Sequence, residues 1–456
     1  MSCTINIAEK HYDQLLAHLF PGDDDEHGAV LRAGLCTDGN QVRLLVREVI
    51  PAREGTDYVP GRTGYRALHP TFIHKHITSC RNDRLVYLAV HNHHSDEHVG
   101  FSRIDLSSHE QGYPALLDIA EGMPVGALVF GKRSVEADIW MPGGKRLALA
   151  ECRIVGRTIR RIGSAPFRGE DAFNSSFDRQ VRMFGLQGQA RLATAKVAVL
   201  GLGGVGSIVA EYLARLGVGR ILLVDPDHIE DTNLSRVVGS TLEDVEHSTR
   251  KTEIAARHIR EIRRDSPAVE IADDVAKIDV AQRLRACDFL FLAADSMRAR
   301  LVFNALVHQY LIPGVQLGAK ISAGPRDELQ DAMSAVRQVR PGLGCLWCNQ
   351  LIDPTQLAIE SKTDSERMAQ AYGVNEPNPS VIAMNGVSAA HAVNEFLFDF
   401  LGLRKPGGPV EYRHFHYLED SAMRVVPRQD AGCSECGQGP LSRFGKGDAV
   451  PLPCIQ

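Results

Sequence analysis

A chain of 456 residues is long enough for two or three domains, each burying its own core. Its 44% hydrophobic and 23% charged residues are ordinary for a globular protein, and a net charge of −5 argues against nucleic acid as a partner. No apolar run reaches the length of a membrane span, and Met1 to Ile7 has no charged-then-apolar export pattern; no membrane partner and a cytoplasmic location are expected. The ten cysteines are scattered except for two Cys-x-x-Cys pairs, which fits a reducing compartment with the pairs holding metal.

The first 155 residues read as an α+β domain. Met1 to Phe20 predicts a strand and then a helix, with Tyr12, Leu15, Leu16 and Leu19 on one face. Ala29–Arg32 and Val42–Val49 read as strands, and the polar stretch Pro51–Arg66 as a loop. Leu85–Val90 is a buried strand that delivers His91, Asn92 and His93 at its end, and Ser102 is a natural N-cap for a helix carrying Asp105. Gly126–Phe130 and Val135–Trp140 read as a closing hairpin that turns at Gly131–Arg133.

Two histidines one residue apart, with an aspartate a dozen residues later, suit a catalytic zinc with one open position. Such a site needs a separate carboxylate for the water's proton, and Glu48 is the expected one; Ser102 is placed to bind an oxyanion. Glu48, His91-x-His93 and Ser102-x-x-Asp105 resemble the JAB/JAMM (MPN+) metallopeptidase family in order. His94 stands where that family has a proline, and the spacer from His93 to Ser102 is eight residues, one more than its usual length.

Residues 156–176 read as a linker, basic at Arg157, Arg160, Arg161 and Arg168, and Phe177–Leu192 as a helix. Lys196–Leu200 is then a buried strand ending at the glycines of Gly201-Leu-Gly203-Gly204-Val-Gly206-Ser207, with an Ala/Leu-rich amphipathic helix behind them. Strand, glycine turn and helix N-terminus make a place for phosphate. The strand Leu222–Val224 ends at Asp225, placed to grip a ribose. Asp227, Asn233, Arg236 and Lys251 add a carboxylate, an amide and two cations, which a triphosphate needs and a nicotinamide ring does not. Phe289–Leu292 is another buried strand, and Asp295 beyond it is an expected Mg²⁺ ligand. Thr252–Ile262 is an amphipathic helix after Lys251. Cys345, Cys348, Cys433 and Cys436 supply four thiolates for a closed, structural zinc.

From about Phe177 to Cys436 these motifs resemble the ThiF/MoeB/ubiquitin-activating-enzyme superfamily in order and spacing. The resemblance implies a Rossmann-like, doubly wound α/β sheet over 177–440, with 441–456 a C-terminal tail. It implies adenylation of a ubiquitin-like protein's C-terminal carboxylate by ATP with Mg²⁺, and a homodimer in which Arg179 reaches the partner's nucleotide. A conjugating enzyme would be a further partner. Members that pass the product to a thioester keep a cysteine near the crossover; Asn349–Val387 contains none, so the expectation stops at the acyl-adenylate. The full expectation is a two-headed enzyme with one catalytic and one structural Zn²⁺. Its rivals are sulfur-carrier activation and cleavage, a scaffold with silent sites, and a plain NAD dehydrogenase.

Overall fold

The computed structural model describes residues 2–60, 66–95, 97–163, 175–265, 267–324, 328–360, 379–405 and 408–455. The chain divides into two compact units: Met1–Pro166 with Gln309–Leu311 and Gln438–Pro451, and Phe167–His308 with Ile312–Gly437 and Leu452–Gln456.

The first unit is built on one sheet of eight strands: β1 (Ser2–Ala8), β2 (Gly28–Asp38), β3 (Gln41–Pro51), β4 (Val86–Asn92), β5 (Val125–Phe130), β6 (Val135–Trp140), β7 (Arg146–Val155) and β8 (Ile159–Ile162). Their order is β1-β3-β2-β4-β5-β6-β7-β8, and β1 also pairs with β7, so the sheet closes on itself like a barrel. Successive strand residues point to opposite faces, and both faces are buried. Leu31, Val46, Leu88, Val90 and Leu128 share one core with Tyr12, Leu15 and Leu19 of the helix Glu9–Leu19. Val30, Tyr87, Val125 and Trp140 share a second with Phe72, Ile77 and Tyr113, which come from the helices Pro70–Asn82 and Arg103–Ala120. A strand buried on both faces reads as a continuous apolar run, as Leu85–Val90 does.

Two stretches fold differently from the sequence reading. The expected linker contributes β8, where Arg160 pairs with Glu9 and Arg161 with Glu151; its Arg168 lies outside the described residues. The expected C-terminal tail is folded over residues 438–451. Arg47, 8% exposed, donates to the carbonyls of Gly439 (2.7 Å), Ser442 (3.0 Å) and Phe444, and Gly34 N donates to Gly445 O at 3.1 Å. A Cβ on Gly34 would lie 2.3 Å from the Gly445 oxygen, so the segment's approach requires glycine there. Periodicity carries no trace of this packing, because its partners are some 400 residues apart.

The second unit is a doubly wound α/β sheet. Its strands are β9 (Lys196–Leu200), β10 (Arg220–Val224), β11 (Ala268–Ile271), β12 (Phe289–Leu292), β13 (Gly314–Ala323), β14 (Leu329–Val339), β15 (Tyr412–His416) and β16 (Ser421–Val425). The order is β11-β10-β9-β12-β13-β14-β15-β16, parallel through β13 and antiparallel beyond it. The chain leaves β9 toward β10 on one side and returns as β12 on the other. That reversal opens a crevice at the carboxyl ends of β9 and β12, where open α/β sheets bind ligands. The helix Gly204–Leu216 runs back from β9, and Ile382–Phe400 packs on it and on β13 and β14. Among the described residues no helix is long and apolar enough to cross a membrane.

Candidate functional site

The glycine turn after β9 is tight for identifiable reasons. Gly201 has φ +92°, and its N–H donates to Val224 O at 2.8 Å. A Cβ on Gly206 would fall 1.8 Å from the Gly201 oxygen, so that glycine packs the helix against the turn. Gly203, at the helix N-cap, faces open space instead, which leaves backbone free to approach a ligand.

In front of the turn lies a cleft of about 740 Å³, walled by Gly201, Gly203, Gly204, Asp225, Asp227, Arg236, Lys251 and Asp295. Asp225 is 4% exposed; its carboxylate accepts from Leu202 N at 2.5 Å and from Asp227 N at 2.9 Å, tying the ends of β9 and β10 together. Burial raises its carboxyl pKa above the usual value, against those two N–H groups and the charge of Lys251. Lys251 begins the helix Lys251–Ile262 and pairs with Asp227 at 2.8 Å. Arg236 donates to Thr232 O at 2.6 Å.

Three expected residues are placed otherwise. Gly206 is behind the turn. Asn233 is buried, its carbonyl accepting from Arg236 N and Val237 N, so it shapes the loop that carries Arg236. Arg179 is exposed near the start of the helix Asp178–Thr194, outside the cleft wall.

In the same unit, the four sulfurs of Cys345, Cys348, Cys433 and Cys436 lie within 4.8 Å of one another, with Cys345–Cys433 at 3.7 Å and Cys348–Cys436 at 3.6 Å. A tetrahedron with Zn–S bonds of about 2.3 Å has S···S edges of about 3.8 Å. The set fits zinc and leaves no open position. Backbone N–H groups of Cys348 and Glu435 donate to sulfur, at 3.3 and 3.4 Å.

The first unit holds a second metal-capable set. His91 and His93, at the end of β4, each place Nε2 3.7 Å from Asp105 Oδ2. His91 Nε2 is buried with no hydrogen-bond partner, an orphan that a metal would satisfy. Ser102 and Asp105 form a capping box at the helix start: Asp105 N donates to Ser102 Oγ at 3.1 Å, and Ser102 N to Asp105 Oδ2 at 2.7 Å. Burial would raise the Asp105 carboxyl pKa, but the imidazole of His91 beside it and its hydrogen bond from Ser102 outweigh that and hold it well below the usual range. Three ligands that leave a position open suit a reactive metal.

Glu48 is not at this centre. It lies opposite Arg32 in the β2–β3 ladder and pairs with it at 2.9 Å, while Gly28 of β2 is the residue opposite His91. Four residues of strand, about 13 Å, separate the two positions. The carboxylate that the structure brings there is Glu26, whose Oε1 is 3.6 Å from His93 Nε2. Burial raises its pKa from the usual value, opposed by His91 and His93. Its neighbour His27 donates its backbone N–H to Asn92 Oδ1 at 2.6 Å, which ties the loop before β2 to the histidine pair. Glu26 ends the run Asp23–Glu26, which reads as a solvated loop; its position just before β2 was the available signal.

The ThiF family model matches residues 177–434, more than half of the chain. The chain is 26% identical over 257 residues to the tRNA threonylcarbamoyladenosine dehydratase of Escherichia coli, covering 50% of this chain and 95% of that protein. It is 28% identical over 269 residues to a sulfur carrier protein adenylyltransferase of Thermus thermophilus, covering 57% and 88%. With the SAMP-activating enzyme E1 of Haloferax volcanii it shares 35% over 120 residues, 26% of this chain and 44% of that one.

Proposed function

The chain belongs to the ThiF family, and on that premise we propose that its second unit adenylates the C-terminal carboxylate of a ubiquitin-like or sulfur-carrier protein. One observation carries the reading: Arg236 and Lys251 both face the cleft that the glycine turn opens. The turn's free N–H groups and these two cations receive the phosphates of ATP, with Asp225 toward the ribose and Asp295 and Asp227 toward Mg²⁺. The substrate's carboxylate oxygen attacks the α-phosphorus, the α–β anhydride breaks, and pyrophosphate leaves. No proton moves, so positioning and charge neutralisation are the whole of the catalysis. Arg179 is assigned to the cleft of a second copy in a homodimer.

The test is ATP–pyrophosphate exchange by the full chain with candidate carrier proteins. Exchange is expected, and Lys251→Ala should lower it about a thousandfold, as loss of a group stabilising transition-state charge does. Nicotinamide dinucleotide binding without exchange would refute the reading. The sulfur carrier protein adenylyltransferase of Thermus supports activation of a sulfur carrier, and the SAMP-activating enzyme E1 of Haloferax supports activation of a protein of that kind; a thiocarboxylate or an isopeptide product separates sulfur transfer from conjugation.

For the first unit we propose zinc-dependent (iso)peptidase chemistry of the JAB/JAMM kind, acting on the same class of protein. His91, His93 and Asp105 would hold the ion, which when bound supplies Lewis-acid activation of water. Glu26 takes the proton and returns it to the leaving amine, and the Ser102 hydroxyl, whose oxygen already accepts from Asp105 N, donates to the oxyanion. Hydrolysis of an isopeptide-linked carrier that stops on Glu26→Gln and continues in Glu48→Gln is the outcome expected.

A further inference from the structure

We propose that the face of β13–β15 turned away from the helix Ile382–Phe400 is a subsite for an acidic side chain of the polypeptide being activated. The inference rests on the adenylation reading and names a feature of its substrate.

Strand pairing separates the two faces of this part of the sheet. Ser334 and Phe415 are opposite each other; Ser334 Oγ donates to Met384 O at 2.8 Å and Phe415 stacks on His391, so the helix covers their face. The other face carries Gln316 and Lys320 of β13, Arg337 of β14, and Tyr412 and His414 of β15, with Gln316 opposite Arg337 and Arg337 opposite Tyr412. Gln316 and Lys320 are also walls of the nucleotide cleft, as is Arg300 from the helix Met297–Gln309. The cleft and this face therefore share Gln316 and Lys320, and Gln316 is the direct neighbour of Arg337.

The polar atoms there are arranged without partners. Arg300 Nε, Arg337 Nε, the Tyr412 hydroxyl and His414 Nε2 are all buried and make no hydrogen bond. Among the described residues Arg300 reaches only the carbonyl of Leu351 (2.8 Å), and Arg337 only the amide oxygen of Gln316 (2.6 Å). Other arginines of this unit are matched to carboxylates: Arg340 and Arg404 to Asp399, Arg257 to Asp244, Arg413 to Glu395. Among the described residues neither Arg300 nor Arg337 has an acid within ion-pair distance. Two half-buried guanidiniums without an ion-pair partner are costly: Asp295 and Glu360 act on Arg300 only from beyond ion-pair distance and do not offset its burial, and burial and then the Arg300 charge draw Arg337 down to about 10. Burial, Arg337 and His416 draw His414 down to about 4, leaving it a neutral N–H donor at pH 7. The missing component is an anion that accepts several hydrogen bonds. A carboxylate takes a guanidinium fork bidentately, and a polypeptide whose terminus lies in the cleft can bring one.

The experiment uses the full chain and fluorescein-labelled octapeptides ending in Gly-Gly, with one Glu moved through six otherwise neutral positions. Binding is read by anisotropy beside a non-hydrolysable ATP analogue, and exchange is measured in parallel. Glu at one position should tighten binding about tenfold, as one charge-assisted contact does. Arg337→Ala should abolish that gain with melting temperature and KM for ATP unchanged, and Arg337→Glu should transfer the preference to Lys at that position. Peptides that do not bind, binding indifferent to the Glu position, or an Arg337→Ala effect confined to KM for ATP would each overturn the proposal. Exchange without Glu selectivity sinks the subsite alone; Glu-selective binding with no exchange sinks the adenylation reading alone.

Discussion

The two metal-capable clusters found among the described residues make an instructive pair. Four cysteines close a tetrahedron whose sulfur edges, 3.6 and 3.7 Å, already match zinc. Two histidines and an aspartate make only three corners, with an orphaned buried nitrogen and a carboxylate beside them. A full shell can only hold structure, whereas an incomplete one can hold water and do chemistry on it. The number of ligands and the identity of the next neighbour decide the difference.

The comparison can be broken in several ways. The largest effect is expected from Glu26→Gln, which should lower isopeptide hydrolysis about a thousandfold while bound zinc and the melting temperature stay unchanged. Loss of metal in that variant would make Glu26 a ligand and close the shell. Next, Cys433→Ser should remove one zinc per chain and lower the melting temperature of the second unit by about 10 °C, with hydrolysis by the first unit intact. Equal loss of both activities would show that the cysteine cluster is not merely structural. Graded chelation monitored by metal analysis should empty the three-ligand centre first, at about tenfold lower chelator, because it lacks a fourth protein donor. The smallest effect on stability belongs to Ser102→Ala: removing the N-cap hydroxyl should cost about 1 kcal/mol, seen as a drop of about 3 °C in the first unit's melting, while loss of the oxyanion donor lowers hydrolysis about a hundredfold.

The same contrast separates what was legible in the sequence from what was not. The cysteine pairs, the glycine turn, Arg236 and Lys251 are local patterns, and the second unit sets Arg236 and Lys251 on the wall of the glycine-turn cleft and gathers the four cysteines in a cluster of their own. Glu48 and Glu26 look alike as residues. Choosing between them requires knowing that Gly28 pairs with His91 and Arg32 with Glu48, and strand register between distant segments leaves no periodic mark. Asn233 reads as an amide for the nucleotide, and only its burial and the two N–H groups its carbonyl accepts show that it supports the loop. The acidic-side-chain subsite is likewise assembled from four separate elements.

The segment 438–451, which supplies three carbonyl acceptors to Arg47, has a consequence for biogenesis. Ribosomes release a chain from its amino end, yet the unit that emerges first is finished last. At ordinary elongation rates its buried guanidinium waits on the order of tens of seconds for those acceptors. A premature stop codon anywhere in the second unit would therefore leave the first unit incomplete as well, giving surveillance proteases a uniform signature of unfinished synthesis.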